Sequence, residues 1–181
     1  VRIDCRRLAE LTGPPLDSSI EDLWLSSGPT VISPSSLDRL QAIQRSSVEF
    51  RTYGLGYSRT LGHRRSEDLL QVFMDDYRGI VSIGPDFVTV RAGTTLKDLA
   101  VELDKRDMTL ATLPEFMEIS ASACFFVQVH GSSNEHFSLF ELIRSVRYLD
   151  EDGNVQEATR DDAGWLELTS RQKRFILLEL T

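Results

Sequence analysis

Cysteine is scarce in this 181-residue chain, which carries only Cys5 and Cys124. The two are far apart, and with three histidines in total they build neither a metal-ligand spacing nor a disulfide framework. Cys124 lies in an apolar run and reads as a small buried hydrophobe; such cysteine usage suits a reducing compartment. Basic charge is also in deficit. Twenty Lys and Arg against 28 Asp and Glu give a net charge of −8. A nucleic-acid binder needs a basic face to neutralise phosphates, and the short cluster His63-Arg64-Arg65 reads as a solvated loop. No run approaches the roughly 20 apolar residues of a membrane helix. Residues 1–16 are charged and lack the apolar core of a signal peptide, and no repeat or low-complexity tract occurs. The expectation is a soluble, intracellular globule that spans no membrane and binds no nucleic acid. An anionic cofactor remains open, because the backbone N–H groups that hold a pyrophosphate do not enter net charge.

What is present is an ordinary globular composition, 41% apolar and 27% charged, long enough for one domain or two small lobes sharing a core. Residues 1–29 read as a leader of short helices broken at Gly13-Pro14-Pro15. From Thr30 the pattern becomes regular. Thr30-Val31-Ile32 reads as a strand, Pro34-Ser35-Ser36 as a helix start, and Leu37, Leu40 and Ile43 recur at helical spacing. Residues 48–51 form a second strand that runs into Tyr53-Gly54-Leu55-Gly56-Tyr57-Ser58. Strands are expected at 69–73, 80–83 and 87–90. Ala92-Gly93-Thr94 then caps a helix that shows Leu96, Leu99, Ala100 and Leu103 on one face. Residues 108–113 read as extended, and 139–146 as an amphipathic helix or half-helix. Asp152-Gly153 turns a hairpin between 147–149 and 154–156, and 175–180 is a last strand.

Three segments carry chemical signal. Gly54 and Gly56 leave the backbone without Cβ atoms after a strand, so a ligand can approach closely and N–H groups can meet phosphate oxygens. Taken alone, such a turn is more often plain architecture. Residues 88–99 spell strand, glycine-permitted turn and amphipathic helix. Residues 113–133 contain Leu113-Pro114 and, after a long small or apolar stretch, Val129-His130-Gly131-Ser132. That composition suggests backbone packed against something flat or extended. The paired carboxylates Glu67-Asp68, Asp75-Asp76 and Asp161-Asp162 read as turns and caps, and no catalytic residue is nominated.

In their order and spacing these segments resemble the flavin-binding domain of the vanillyl-alcohol-oxidase and p-cresol-methylhydroxylase (PCMH) family. Within it they look closest to the alditol oxidase and aldonolactone oxidase branch. The resemblance runs over residues 30–181. It implies an α+β fold in which two α/β lobes, here 30–93 and 94–181, clasp FAD. The substrate domain is expected to be absent from this chain, and a second chain or domain would cover the flavin face. Gly54, Leu55, Gly56, Tyr57 and Ser58 would supply the pyrophosphate turn. Ser120, Ser122 and Ala123 would line the second phosphate and ribitol, with Pro114 nearby. Val127, Gln128, Val129, His130 and Gly131 would run beside the flavin, and Ile176 would sit near the adenine or ring edge. Tyr57 stands where many members carry the histidine that bonds to flavin, so the implied attachment is noncovalent. The implied activity is FAD-dependent oxidation of a hydroxyl-bearing small molecule of sugar, alditol or lactone type.

The chain also departs from that pattern. Ser122 and Ala123 replace a Gly-Gly pair, Phe125, Phe126, Val127 and Gln128 replace a smaller stretch that ends in Gly, and Phe175 replaces a Gly before the last strand. Each change adds a Cβ or a ring where backbone usually touches cofactor. They support a second reading: a degenerate flavin-fold module that no longer binds FAD and serves as a structural or protein-interaction subunit.

Overall fold

The computed structural model describes residues 31–55, 69–170 and 174–181. The leader, the loop with His63-Arg64-Arg65 and Glu67-Asp68, and three of the pyrophosphate-turn residues (Gly56, Tyr57 and Ser58) lie outside them.

Two sheets organise the chain. The first is a three-stranded parallel sheet in the order β1 (Val31–Ile32), β3 (Leu70–Phe73), β2 (Phe50–Tyr53). Its crossover helix α1 (Leu37–Arg45) starts at Ser36, whose hydroxyl accepts from the Arg39 N–H, and buries Leu40 and Ile43. The second is a five-stranded antiparallel sheet made of β4 (Ile80–Ile83), β5 (Val88–Arg91), β8 (Ile176–Leu180), β6 (Ser145–Leu149) and β7 (Val155–Thr159), in that spatial order. The change of sheet falls between Phe73 and Ile80, ahead of the lobe boundary expected at residue 93. β8 is buried along its whole length, as a central strand covered on both faces must be.

Helix α2 (Leu96–Asp104) lays Leu96, Leu99 and Leu103 into the core. Its cap is Thr95, whose Oγ1 accepts from Asp98 N at 2.9 Å, rather than Thr94. The Thr94 hydroxyl turns instead to the Gly79 backbone, accepting from its N–H and donating to its C=O. Helix α3 (Ala121–Phe126) is short. The helix expected over 139–146 shrinks to one 3-10 turn, Leu139–Leu142, because Val146 is drawn into the sheet between Ala158 and Leu180. Helix α4 (Ala163–Thr169) was not foreseen. Its apolar face is two residues, Trp165 and Leu168, too few to show a period.

The two sheets are tied by polar groups. Gln44 Nε2 donates to Asp150 O at 2.7 Å, and Gln41 Nε2 to Gly153 O at 3.0 Å. The tip of the β6–β7 hairpin thus rests on α1, where Gly153 takes the positive φ of 74° that the Asp-Gly pair implied. Arg174 spans the same seam. Its Nη2 donates to Val48 O at 3.2 Å, and its guanidinium stacks 4.1 Å from the Phe50 ring centre.

Candidate functional site

β2 ends at Tyr53, whose ring stacks on Phe73 at 5.1 Å, and the chain then turns at Gly54 and Leu55. The turn lies directly against the start of α3. A Cβ on Gly54 would overlap the Ser120 hydroxyl and stand 3.2 Å from Ser120 Cβ. A side chain at this position would force the Ser120 hydroxyl to move. Ser120 and Ser122 are both buried, and their hydroxyls share a hydrogen bond of 2.9 Å. The start of α3 is held by the turn ahead of α2: Ala121 N donates to Thr94 O at 2.7 Å, and Ser122 N to Ala92 O at 3.0 Å. That turn is seated in its own right. A Cβ on Gly93 would overlap the Met74 carbonyl and stand 2.8 Å from Tyr77 O. The glycine turn, the Ser120–Ser122 corner and the α2 turn therefore form one packed unit that joins the two sheets.

A second close approach lies at the other end of α3. Beyond Phe126 the chain leaves the helix at Val127, turns at Gln128, where Val129 N donates to Val127 O at 2.7 Å, and passes through His130 to Gly131. Val127, Gln128 and His130 are exposed, and Val129 and Gly131 are half-buried. The run is fixed by Leu139 N, which donates to Val129 O at 2.8 Å. A Cβ on Gly131 would overlap Leu113 O and come within 2.6 Å of Thr112 Oγ1. Thr112 is buried, and its hydroxyl has no hydrogen-bond partner among the described residues. A buried hydroxyl without a partner costs about 1–3 kcal/mol. Sequence reasoning missed Thr112, which sat unremarked in an extended stretch; its only signal was its place two residues before Pro114. Pro114 itself is half-buried.

The phenylalanines that add bulk here, Phe125, Phe126 and Phe175, pack on one another. Phe125 is buried, and its ring meets Trp165 at 5.3 Å, Phe140 at 5.8 Å and Phe175 at 6.5 Å. Phe126 and Phe175 stack at 5.8 Å. These rings form an aromatic core beneath the second sheet. Their bulk is taken up by packing with one another, and Phe125 does not stand in the exposed run. Ile176, expected near the adenine, is fully buried in β8 opposite Leu149, so a ligand contact from this position would run through its backbone. Ala123 is half-buried on α3.

The electrostatics of the region are quiet. Burial pushes the Cys124 thiol up to about 12, which keeps it protonated and unreactive at neutral pH. Among the described residues no group of three or more His, Cys, Asp or Glu side chains could hold a metal ion. Two glycine-dependent backbone approaches, a corner of two hydroxyls, a partnerless buried hydroxyl and an exposed non-helical run suit a long, flat, hydrogen-bonding ligand. The residues present therefore fit a flavin dinucleotide at this edge.

Comparison with known proteins gives the family and the fold. A family profile described as "FAD binding domain" matches residues 29–159. Among solved structures, cholesterol oxidase from Brevibacterium sterolicum superposes with a TM-score of 0.67 at 20% identity, over 83% of this chain and 33% of that one. Chitooligosaccharide oxidase superposes with a TM-score of 0.68 at 15% identity, over 97% of this chain and 42% of that one. Alkyldihydroxyacetonephosphate synthase gives 0.64 at 18% identity, over 83% and 30%. The chain thus spans between about a third and two-fifths of these structures, and at such identities the likeness is one of fold. No curated protein matched.

Proposed function

The chain belongs to the family of FAD-binding domains, and from that premise we propose that it holds FAD noncovalently along the edge formed by the β2 turn, α3 and residues 127–131. The turn of Gly54, Leu55, Gly56, Tyr57 and Ser58 takes the pyrophosphate. Ser120, Ser122 and Ala123 face the second phosphate and ribitol, and Val127 to Gly131, with Pro114, lie along the ring system. Tyr57, in place of a histidine, leaves the flavin without a covalent bond. The single observation that carries this reading is the pair of glycine approaches, Gly54 on Ser120 and Gly131 on Leu113. They hold backbone flush against its neighbours, one ahead of α3 and the other beyond it.

Each chain group has a definable task. The hydroxyls of Ser120 and Ser122 share one hydrogen bond, so whichever of them accepts keeps its own proton to donate to a phosphate oxygen while the other donates to it. The unused Thr112 hydroxyl can donate to a polar ring edge lying beside Gly131. The flush backbone excludes water from one face of the ligand and fixes its orientation. When bound there, a flavin would supply two-electron oxidation chemistry for a hydroxyl-bearing carbon. The proposed substrate is a small polyhydroxy molecule of sugar, alditol or lactone type, brought to the exposed flavin face by a second domain or chain.

An absorbance scan of the purified chain tests this directly. We expect a flavin spectrum close to one per polypeptide, with the chromophore passing into the supernatant when the protein is precipitated by acid. A folded chain that is colourless and gains no thermal protection from added FAD would instead support a flavin-fold interaction module.

A further inference from the structure

Asp152-Gly153 is the only place in the chain where Asp or Asn precedes Gly, and such a pair carries chemistry of its own. The glycine nitrogen can reach the side-chain carboxyl carbon of the residue ahead, and with no Cβ on the glycine nothing shields it. Attack closes a five-membered succinimide. The bond from Gly153 N to Asp152 Cγ forms, and the N–H proton leaves with the carboxyl OH as water. Water then reopens the ring at either carbonyl. Opening at the main-chain carbonyl leaves isoaspartate, whose backbone is longer by one methylene. The water lost is returned, so no co-reactant is needed.

The fold holds this pair at the tip of the β6–β7 hairpin. Asp152 is exposed and Gly153 is buried. Gly153 N, the nucleophile, donates to Asp150 O at 3.0 Å. The carbonyls on both sides of it are held from α1. Arg45 Nε donates to Asp152 O at 3.2 Å and Arg45 Nη2 to Gly153 O at 3.1 Å, while Gln41 Nε2 donates to Gly153 O at 3.0 Å. Ring closure must swing Gly153 N off Asp150 O and turn the peptide between the two residues, so these bonds have to break first.

We propose that Asp152 is the chain's site of isoaspartate formation, and that docking of the hairpin tip on α1 sets its rate. Arg45 acts as a positioning residue, since it grips the flanking carbonyls and neither reacting atom. The added methylene falls inside the turn that Asp150 N closes on Asn154 O at 3.0 Å. It displaces the Gly153 carbonyl from Gln41 and Arg45, so the modification loosens the seam between the two sheets. It does not depend on whether flavin binds.

The test ages the purified chain at neutral pH, folded and, in parallel, denatured in guanidinium. Isoaspartate is located by electron-transfer fragmentation in the mass spectrometer and counted with isoaspartyl methyltransferase. It should appear at residue 152 ahead of every other Asp and Asn, and more slowly in the folded chain than in the denatured one by about tenfold or more, as the loss of several hydrogen bonds implies. Arg45→Ala, shown to be folded by circular dichroism, should fall between the two at residue 152 and leave the rates at other Asp and Asn unchanged. If that variant does not fold, the comparison of folded with denatured wild type still decides. Modification first at another residue, equal rates in folded and denatured wild type, a folded Arg45→Ala that ages like wild type, or one that ages faster at every site alike would each overturn the proposal.

Discussion

At the scale of single residues, the site rests on what glycine omits. Gly54 faces only the Ser120 side chain, so the consequence of filling it can be separated from the fold. Gly54→Ala should cost about 1–3 kcal/mol, the usual penalty of an overpacked contact, and should weaken FAD binding. Ser120→Ala removes the overlapping oxygen and leaves the 3.2 Å neighbour, though it also orphans the Ser122 hydroxyl; Gly54→Ala should therefore cost less in a Ser120→Ala background than in the wild type, read by urea melts. An equal cost in both backgrounds would mean that the turn is not seated on Ser120. The same scale carries a pH prediction. Burial raises the Cys124 thiol from 9.0 to about 12, so the folded chain keeps a proton that the unfolded chain loses. That contribution is fully present below pH 9 and is lost as pH rises toward 12. Tyr77 is raised as well, by burial first and then by Glu179, and acts with the same sign. Cys124→Val should flatten the alkaline loss of stability, measured by urea melts across this window; an unchanged profile would contradict the assignment. The glycines were legible as turn markers in the sequence. Thr112 was not, because a lone threonine in an extended stretch shows nothing of whether its hydroxyl will find a partner.

Among the elements, legibility followed the source of each one's stability. β3, β4, α1 and α2 carry their own apolar periods or caps and emerged near their expected positions. The helix expected over 139–146 did not, because cross-strand neighbours of Val146 override its local pattern. The phenylalanines of α3 read as bulk added to a cofactor contact; in the fold Phe125 packs into an aromatic core that includes Trp165 of the unforeseen α4. Sequence shows that a side chain is large, and direction comes only from the helix that bears it. Two glycines make a matched pair of tests. Gly93 presses on backbone, with a would-be Cβ 2.6 Å from Met74 C, and backbone cannot swing aside. Gly93→Ala should cost about 3 kcal/mol or more, seen as a lower denaturation midpoint. Gly164 in α4 would place a Cβ at ordinary contact distance from Ala158 Cβ, 3.6 Å, and the Tyr148 hydroxyl, 4.0 Å, so Gly164→Ala should be neutral or stabilising by up to about 1 kcal/mol. Equal effects of the two would refute the packing described for the α2 turn.

For the whole molecule, the proposed site depends on how the two sheets meet, because the Gly54 turn comes from the first and α3 packs on the second. The seam is polar: Gln41, Gln44 and Arg174 bind backbone carbonyls across it. Burial lowers the Arg174 guanidinium from its usual value, the mark of a cation held partly out of water. Its planar group is both stacked on Phe50 and bonded to Val48 O, a combination lysine cannot reproduce. Arg174→Lys should therefore speed hydrogen exchange in β1 to β3 more than in β6 and β8; uniform change across both sheets would count against Arg174 as the tie. None of this seam was visible beforehand, since its partners are more than a hundred residues apart in the chain. The family was visible because order and spacing of short motifs persist where individual glycines have been replaced.

The central claim is that the edge from Gly54 to Gly131 holds FAD without a covalent bond. Equilibrium titration of the flavin-free folded chain with FAD, followed by flavin fluorescence, tests it most directly. The account predicts saturation at one FAD per chain, with weaker binding in the Gly54→Ala variant. A folded chain that shows no saturable change, or whose affinity is indifferent to Gly54→Ala, would contradict it.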